Sequence, residues 1–480
     1  MQPFRIESKP VMYRLTRLVV KLAMAIFFRK IELRNGECVP KRGPVIFVAN
    51  HPNSIMDALV MGVVTKRKVN YIGHVGLFSS KLKSWFLRST GVIPVYRRED
   101  APDKMGQNVS MFDACYQALE AGETIGIFPE GTSDMLRKVK KLKTGAARII
   151  LETERRNDYK LGVTVLPVGL YFFSRSRFRS RVLVNIGKPV DLLEFFELNQ
   201  EDNVKAVQAL TDRIQAALEK ITVNIQHEEL DEFVHDLEIL YRDELKAQTP
   251  GNSKASKETV AEFFLTQKIA ECVEYYHERD PQKLRSIQEK VAVYKRKLDR
   301  LHLKDAMLKE RKSFSKLFEQ SAISVARAVV GFPLALYGVL NNVVPYLLAE
   351  QIAKKFIDER TKILSALLIG GGFVFVLCYA LQVSLVWFFA GELWAGAYFL
   401  SLSASGLFAL AYIKEVRQDL ERVGLGLFLF TNRQLFNKMR RERRILLTEL
   451  DAVRDEYLRL TSLRVEMKID TKEGRNGNER

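Results

Sequence analysis

From about residue 44 onward, short continuous apolar runs alternate with amphipathic stretches. Segments 45–49, 69–74, 91–95, 124–128, 163–171 and 182–186 have the length and apolar content of buried strands. Between them, 55–64, 80–87, 109–121 and 144–153 repeat apolar side chains at helical spacing. Strands alternating with helices predict an α/β domain over residues 31–225, with a mixed, largely parallel sheet flanked by helices.

The pattern changes on either side of this domain. Residues 1–30 contain a basic amphipathic helix, with Arg14, Arg17 and Lys21 on one side and Leu15, Leu18, Val19, Leu22 and Ile26 on another. Such a helix either lies among lipid headgroups as a membrane-associated element or packs on its own domain. Residues 226–320 form a charged helical arm in which Ile287, Tyr294 and Leu301 recur every seven positions, with Val291 and Leu298 between. Residues 321–350 are apolar but hold Pro333, Asn341, Asn342 and Pro345, which predict a broken, re-entrant or interfacial segment.

Within 363–413, two stretches reach the ~20 residues a helix needs to cross a bilayer, so the region reads as a transmembrane helical hairpin in an all-α half. Trp387, Phe388, Phe389 and Trp394 suit its interfacial turn. Basic residues flank both outer ends, Lys354, Lys355, Arg360 and Lys362 before and Lys414 and Arg417 after, which places both ends on the cytoplasmic side. Residues 414–480 return to charged helix and finish in a polar tail, 471–480, expected to be disordered.

Composition narrows the partners. The formal charge of +18 fits nucleic acid, anionic lipid or a phosphorylated small molecule, and the apolar segments favour the last two. Nucleic acid is therefore not expected as a partner. Cys38, Cys115, Cys272 and Cys378 are scattered and form no CxxC pair, so neither a zinc site nor a disulfide framework is expected. No dinucleotide fingerprint, P-loop or HExxH motif is present, and no metal or permanently bound cofactor is expected.

Chemistry-bearing residues gather at strand ends. In VIFVANHPNSIMDALV, His51 follows a strand and Asp57 falls just inside the next helix, where a carboxylate can fix the tautomer of a histidine base. Arg97 directly follows the strand in GVIPVYR, Glu130 and Gly131 follow a strand in FPEGTS, and Pro167 lies inside the strand VLPVG. In parallel α/β sheets, ligands collect at the carboxyl ends of strands, so these loops can converge on one site. Two basic clusters stand nearby. Of the first, Arg137, Lys138, Lys140 and Lys141 read mainly as a solvated, lipid-facing surface beside Lys143, and the alternating Arg175, Arg177, Arg179 and Arg181 read equally as contacts to headgroups or cofactor phosphates or as an exposed loop.

These four motifs, in this order, resemble the glycerolipid acyltransferase superfamily over roughly residues 15–220. The resemblance implies that His51 is the general base and Asp57 its partner. It also implies that Arg97 binds the acceptor phosphate and that Glu130 and Gly131 belong to the acceptor site. Lys143, in Lys143-Thr144-Gly145-Ala146, is similar to a family lysine-glycine element and stands as a second phosphate or cofactor contact. Five residues separate His51 from Asp57, where most members have four, and Ser133 and Asp134 follow Thr132, where most have arginine. Both features resemble the branch acting on glycerol 3-phosphate or dihydroxyacetone phosphate, which also carries membrane spans after the catalytic domain.

The implied reaction is transfer of a fatty acyl group from acyl-CoA or acyl-carrier protein to such an acceptor at a membrane, in phospholipid biosynthesis, with the catalytic domain facing the cytoplasm. The expected partners are the glycerol-phosphate acceptor, the acyl donor and membrane lipid; oligomeric state is left open. Three alternatives stay open: a 1-acylglycerol-3-phosphate acceptor, a phospholipid transacylase, and a catalytically silent membrane scaffold.

Overall fold

The computed structural model describes residues 9–97, 108–174, 178–248, 255–301, 314–355 and 363–476, with 103, 106, 303, 305 and 308. The chain divides into two compact units, one of residues up to 224 with 252–263 and 345–378, the other of 225–251, 264–344 and 379–480.

The first unit is built on a seven-stranded sheet. Its strands are β1 (Lys30–Arg34), β2 (Val45–Ala49), β3 (Val69–His74), β4 (Ile93–Val95), β5 (Thr124–Ile127), β6 (Thr164–Phe172) and β7 (Arg181–Ile186). Their order is β1-β7-β6-β2-β5-β3-β4. Pairings from β6 through β4 are parallel, β7 runs antiparallel to β6, and β1 runs parallel to β7. The mixed, largely parallel sheet expected from the alternating pattern is therefore present. β1 was not legible in the pattern, because Lys-Ile-Glu-Leu-Arg reads as polar and its partner strand is far along the chain.

Helices cover both faces, which explains why β2 is apolar at every position and wholly buried. Ile46 and Val48 point into a core shared with α4 (Asn108–Glu120), α5 (Gly145–Arg156), α6 (Leu193–Glu201) and α7 (Asn203–Ile221). Val45, Phe47 and Ala49 point the other way, into a core with α1 (Pro10–Phe27) and α2 (Ile55–Val64). This is the two-residue alternation of a strand sandwiched between helix layers. Along α1, Met24 and Phe27 are buried in that core, while Leu15, Leu18, Val19, Leu22 and Ile26 stay exposed. One face of the helix thus docks on its own domain and leaves an apolar stripe uncovered.

In the second unit, α8 (Asp231–Gln248), α9 (Ala255–Arg279, entering from the first unit) and α10 (Pro281–Arg300) make up the charged arm. Ile287, Val291, Tyr294 and Leu298 are the buried seam of α10, as the heptad spacing predicts. Its partner is the later helix Arg433–Asn476, which runs antiparallel. Lys283, Lys290 and Lys297 pair with Glu456, Glu449 and Glu442, each step seven residues along both helices. These pairs are largely exposed, so they set register more than stability.

After α10 come α11 (Phe314–Lys354), α12 (Ile363–Ala366) with a π turn over Leu367–Gly371, α13 (Gly372–Ala390), α14 (Glu392–Thr431) and α15 (Arg433–Asn476). Three stretches among the described residues are long and apolar enough to cross a membrane: Ala326–Ile352, Leu367–Ala390 and Glu392–Arg417. For the segment 321–350 the structure corrects only the broken reading, because α11 is one continuous helix through both prolines. Pro345 has no N–H to offer the carbonyl of Asn341, and Gln382 Nε2 donates to that carbonyl instead at 3.0 Å. The amides of Asn341 and Asn342 donate to the carbonyls of Tyr337 and Gly338, one turn back, each at 2.8 Å. With its polar groups satisfied, the helix need not break. Trp387–Phe389 likewise belong to helix rather than turn, and Gly391 alone, at φ +84°, links α13 to α14. The tail is helical further than expected: α15 continues to Asn476, past residue 471. Residues 477–480 lie outside the described residues.

Candidate active site

β2 ends at Ala49, and Asn50 carries the pairing one step further with its side chain. Its Oδ1 accepts the Leu170 N–H at 2.7 Å and its Nδ2 donates to the Leu170 carbonyl at 3.2 Å. This fixes the point from which His51 leaves the sheet. The loop then turns through Ser54, which sits at φ +52°, a left-handed conformation costing of order 1–3 kcal/mol in a non-glycine residue. That turn absorbs the five-residue spacing and still places Asp57 in the first turn of α2.

The outcome is a His51 Nδ1 to Asp57 Oδ2 hydrogen bond of 2.8 Å. Asp57 is fully buried, and the same oxygen accepts the Asn53 N–H at 2.7 Å. Its charge is further favoured by the helix N-terminus beside it. An Asp that holds the Nδ1 proton leaves Nε2 as the basic nitrogen of the ring. The imidazole is stacked on Phe128, with ring centroids 4.3 Å apart and planes 18° apart. Phe128 in turn lies parallel to Tyr71. Gly126 makes room for that tyrosine, because a Cβ there would meet its ring at 2.6 Å. Two aromatic rings and one hydrogen bond therefore set the plane of the histidine.

Glu130 comes from the loop after β5, the strand beside β2. Its Oε1 accepts the His51 backbone N–H at 3.1 Å, and Asp134 N–H donates back to the His51 carbonyl at 3.1 Å. Burial pushes the Glu130 carboxyl up to about 7, offset in part by the bond from His51. Gly131, at φ +77°, lies against Lys143, and a Cβ there would come within 2.8 Å of the lysine Cε and Nζ. The Lys143 backbone is tied to the same loop through the Pro129 carbonyl at 2.8 Å. His51, Asp57, Glu130, Gly131 and Lys143 are thus brought together by β2 and β5.

Arg97 reaches the same edge of the sheet but on β4, three strands from β2, roughly 14 Å away at ordinary strand spacing. It is half-buried. Asn108, at the start of α4, holds the preceding residue through both backbone groups: its Oδ1 accepts the Tyr96 N–H and its Nδ2 donates to the Tyr96 carbonyl, each at 2.9 Å. Pro167 lies within β6, paired with Val48 of β2.

Asn50, Ser54, Phe128 and Asn108 are the positioning residues that the sequence reading passed over. Asn50 and Phe128 were signalled by their places next to the motifs, whereas nothing in the sequence connects Asn108 to Tyr96. Of the alternating arginines, Arg179 lies in an exposed turn, as one expectation had it, whereas Arg181 belongs to β7. Arg179 donates to the carbonyls of Ala25 and Ile26 at the end of α1, and Arg181 pairs with Glu262. Arg175 and Arg177 lie outside the described residues. In the other basic cluster, Lys140 is paired with Asp134 at 2.6 Å. Among the described residues, no three His, Cys, Asp or Glu side chains are grouped to hold a metal ion.

Against known families, residues 30–171 match the model described as Acyltransferase. Over this stretch the chain is similar to the acyltransferase family. The match takes in β1 through most of β6, and so His51, Asp57, Arg97, Glu130, Gly131 and Lys143.

An uncharacterized acyltransferase of Schizosaccharomyces pombe is 23% identical over 60% of this chain and 54% of its own length. Glycerol-3-phosphate O-acyltransferase 1 of Saccharomyces cerevisiae is 22% identical over 72% of this chain and 56% of its own. The chain therefore spans about half the length of these curated relatives. Among solved structures, the 1-acyl-sn-glycerophosphate acyltransferase PlsC of Thermotoga maritima is 22% identical, covering 43% of this chain and 80% of that one, with a TM-score of 0.31.

Proposed function

We propose that this chain is a membrane-bound O-acyltransferase that moves a fatty acyl group from acyl-CoA or acyl-carrier protein to glycerol 3-phosphate or dihydroxyacetone phosphate. The observation that carries the reading is the 2.8 Å His51–Asp57 pair at the carboxyl edge of the sheet, inside the stretch similar to the acyltransferase family. Similarity to a glycerol-3-phosphate O-acyltransferase over 72% of the chain supports the choice of acceptor.

In this reading the acceptor phosphate is held by Arg97, and Lys143 adds a second cationic contact. The acceptor hydroxyl faces Nε2 of His51. As its oxygen attacks the thioester carbonyl, Nε2 takes the hydroxyl proton. The tetrahedral oxyanion then collapses, the carbon–sulfur bond breaks, and the departing thiolate recovers the proton from the imidazolium. A backbone N–H aimed at the oxyanion contributes about 3 kcal/mol in such reactions. Asp57 is acceptor-only while ionised and stabilises the charged ring. Glu130 acts through the His51 backbone and lines the acceptor side.

The pairing of α10 with α15 supports a membrane arrangement. α10 precedes the three apolar helices and α15 follows them, yet the two pack lengthwise through three ion pairs. Two charged helices in contact share one side of a bilayer, so the number of crossings between them is even. We assign the crossings to Leu367–Ala390 and Glu392–Arg417, and infer that Ala326–Ile352 does not complete one. Basic residues at the outer ends of the pair support a cytoplasmic placement of the catalytic domain.

The test is the purified full chain given radiolabelled glycerol 3-phosphate and acyl-CoA, with dihydroxyacetone phosphate and lysophosphatidic acid in parallel. Formation of 1-acylglycerol 3-phosphate is expected. His51→Ala should fall below about a hundredth of wild type, the scale of general-base assistance. Turnover with no acceptor would overturn the enzymatic reading in favour of a scaffold, and turnover confined to lysophosphatidic acid would overturn the acceptor.

A further inference from the structure

Apart from the catalytic edge, the first unit carries a cleft of about 640 Å³ where the start of α1 meets α3 (Lys81–Ser89). The two elements are tied there by the Lys9 N–H, which donates to the Ser89 carbonyl at 3.0 Å. Three cations line the cleft, Lys9, Lys81 and Arg88, and among the described residues no acidic side chain does. Among the described residues, no carboxylate pairs with Lys9 or Lys81. Lys9 instead lies over the Trp85 ring, 5.7 Å from its centroid, and Arg88 over Phe78, 5.8 Å from its centroid. Serine hydroxyls complete the wall. Those of Ser80 and Ser84 accept hydrogen bonds, from Lys83 N–H and Arg88 Nε respectively.

The surroundings are as apolar as the cleft is cationic. Leu82 is 73% exposed and Trp85 48% exposed, and Leu77 and Phe86 are also open. An indole with its apolar body uncovered beside lysines is suited to the boundary between headgroups and acyl chains. A site for a small soluble anion gains nothing from leaving these side chains in water. The uncovered stripe of α1 begins at the same junction, at Val11 and Leu15.

We propose that this cleft binds the phosphodiester headgroup of an anionic phospholipid, with Leu82 and Trp85 inserted among its acyl chains. The ligand is a membrane component, distinct in chemistry and place from the acceptor assigned to Arg97. Lys9, Lys81 and Arg88 meet the phosphate charge, and the interaction weakens with ionic strength as surface cation–lipid contacts do. The proposal does not depend on which acceptor the enzyme uses.

The experiment takes the full chain in nanodiscs with Trp387 and Trp394 changed to Phe, so that Trp85 is the one tryptophan of the original three that remains. Lipid with brominated acyl chains quenches an indole that reaches it. Brominated phosphatidylglycerol, present as a minor component in phosphatidylcholine, should quench Trp85 several-fold more strongly than brominated phosphatidylcholine at the same fraction. Lys81→Glu with Arg88→Gln should remove the headgroup preference while leaving quenching by phosphatidylcholine, which also shows that α3 is still folded and inserted. Lys81→Arg should keep the preference. Equal quenching by both lipids, or none from either, would overturn the proposal. So would loss of the preference on adding millimolar inorganic phosphate, since that identifies a free-anion site.

Discussion

Oε1 of Glu130 accepts the backbone N–H of His51 at 3.1 Å, so the loop after β5 holds the loop after β2 by its main chain rather than by the reactive ring. The imidazole is left with three constraints of its own, Asp57 on Nδ1, Phe128 against its face and the backbone anchor. What each contributes can be separated by substitution.

Asp57→Asn keeps the shape of the side chain and an oxygen that can still accept the Asn53 N–H. It loses the negative charge that holds the Nδ1 proton and stabilises the imidazolium. We expect kcat to fall by roughly 10²–10⁴ with little change in KM. Steady-state kinetics with both substrates varied measures this, and a loss confined to KM would argue that the pair serves binding alone.

Glu130 makes stability depend on pH. Its carboxyl titrates near 7 in the folded chain against an ordinary 4.5. Between those values the folded state holds a proton that the unfolded state has lost, so stability falls as pH rises through the window. The penalty is absent below about 4.5 and reaches up to about 3 kcal/mol above about 7. Glu130→Gln removes the titration, and its unfolding temperature relative to wild type should rise between pH 5 and pH 8. A difference that stays flat across that interval would mean the carboxyl is not desolvated as described.

Arg97 takes its direction from a neighbour. Because Asn108 holds both backbone groups of Tyr96, Asn108→Ala should loosen the exit of the chain from β4. The expected result is a weaker KM for the phosphorylated acceptor, at least about fivefold, with the KM for acyl donor unchanged. Arg97→Ala should show the same pattern more strongly. A change in donor affinity alone would misplace the phosphate.

The even number of crossings can be checked by labelling. After the four native cysteines are replaced, Arg327→Cys and Lys355→Cys flank the apolar stretch of α11. Both should react with an impermeant maleimide from the same side of sealed vesicles, and Gly391→Cys from the other. If the two flanking positions label from opposite faces, α11 spans the bilayer and the assignment of the crossings is lost.

Much of the catalytic layout was determined by sequence alone. Segments 45–49 and 69–74 match β2 and β3 to the residue, and in β2 burial on both faces writes itself as an unbroken apolar run. The heptad of α10 was equally legible, since its period is local. His51, Asp57, Glu130 and Gly131 were named from motifs at strand ends, where topology concentrates ligands.

Tertiary structure decided what depends on partners distant in the chain. β1 is a strand only because β7 pairs with it, and α11 runs unbroken because Gln382 meets the carbonyl that Pro345 leaves unbonded. Arg179 caps α1 and Arg181 pairs with Glu262, roles that no alternating spacing could announce. Local periodicity records which side of an element is buried, whereas a hydrogen bond between two loops depends on the order of strands. That order came from the folded sheet, and with it the contact between Glu130 and His51.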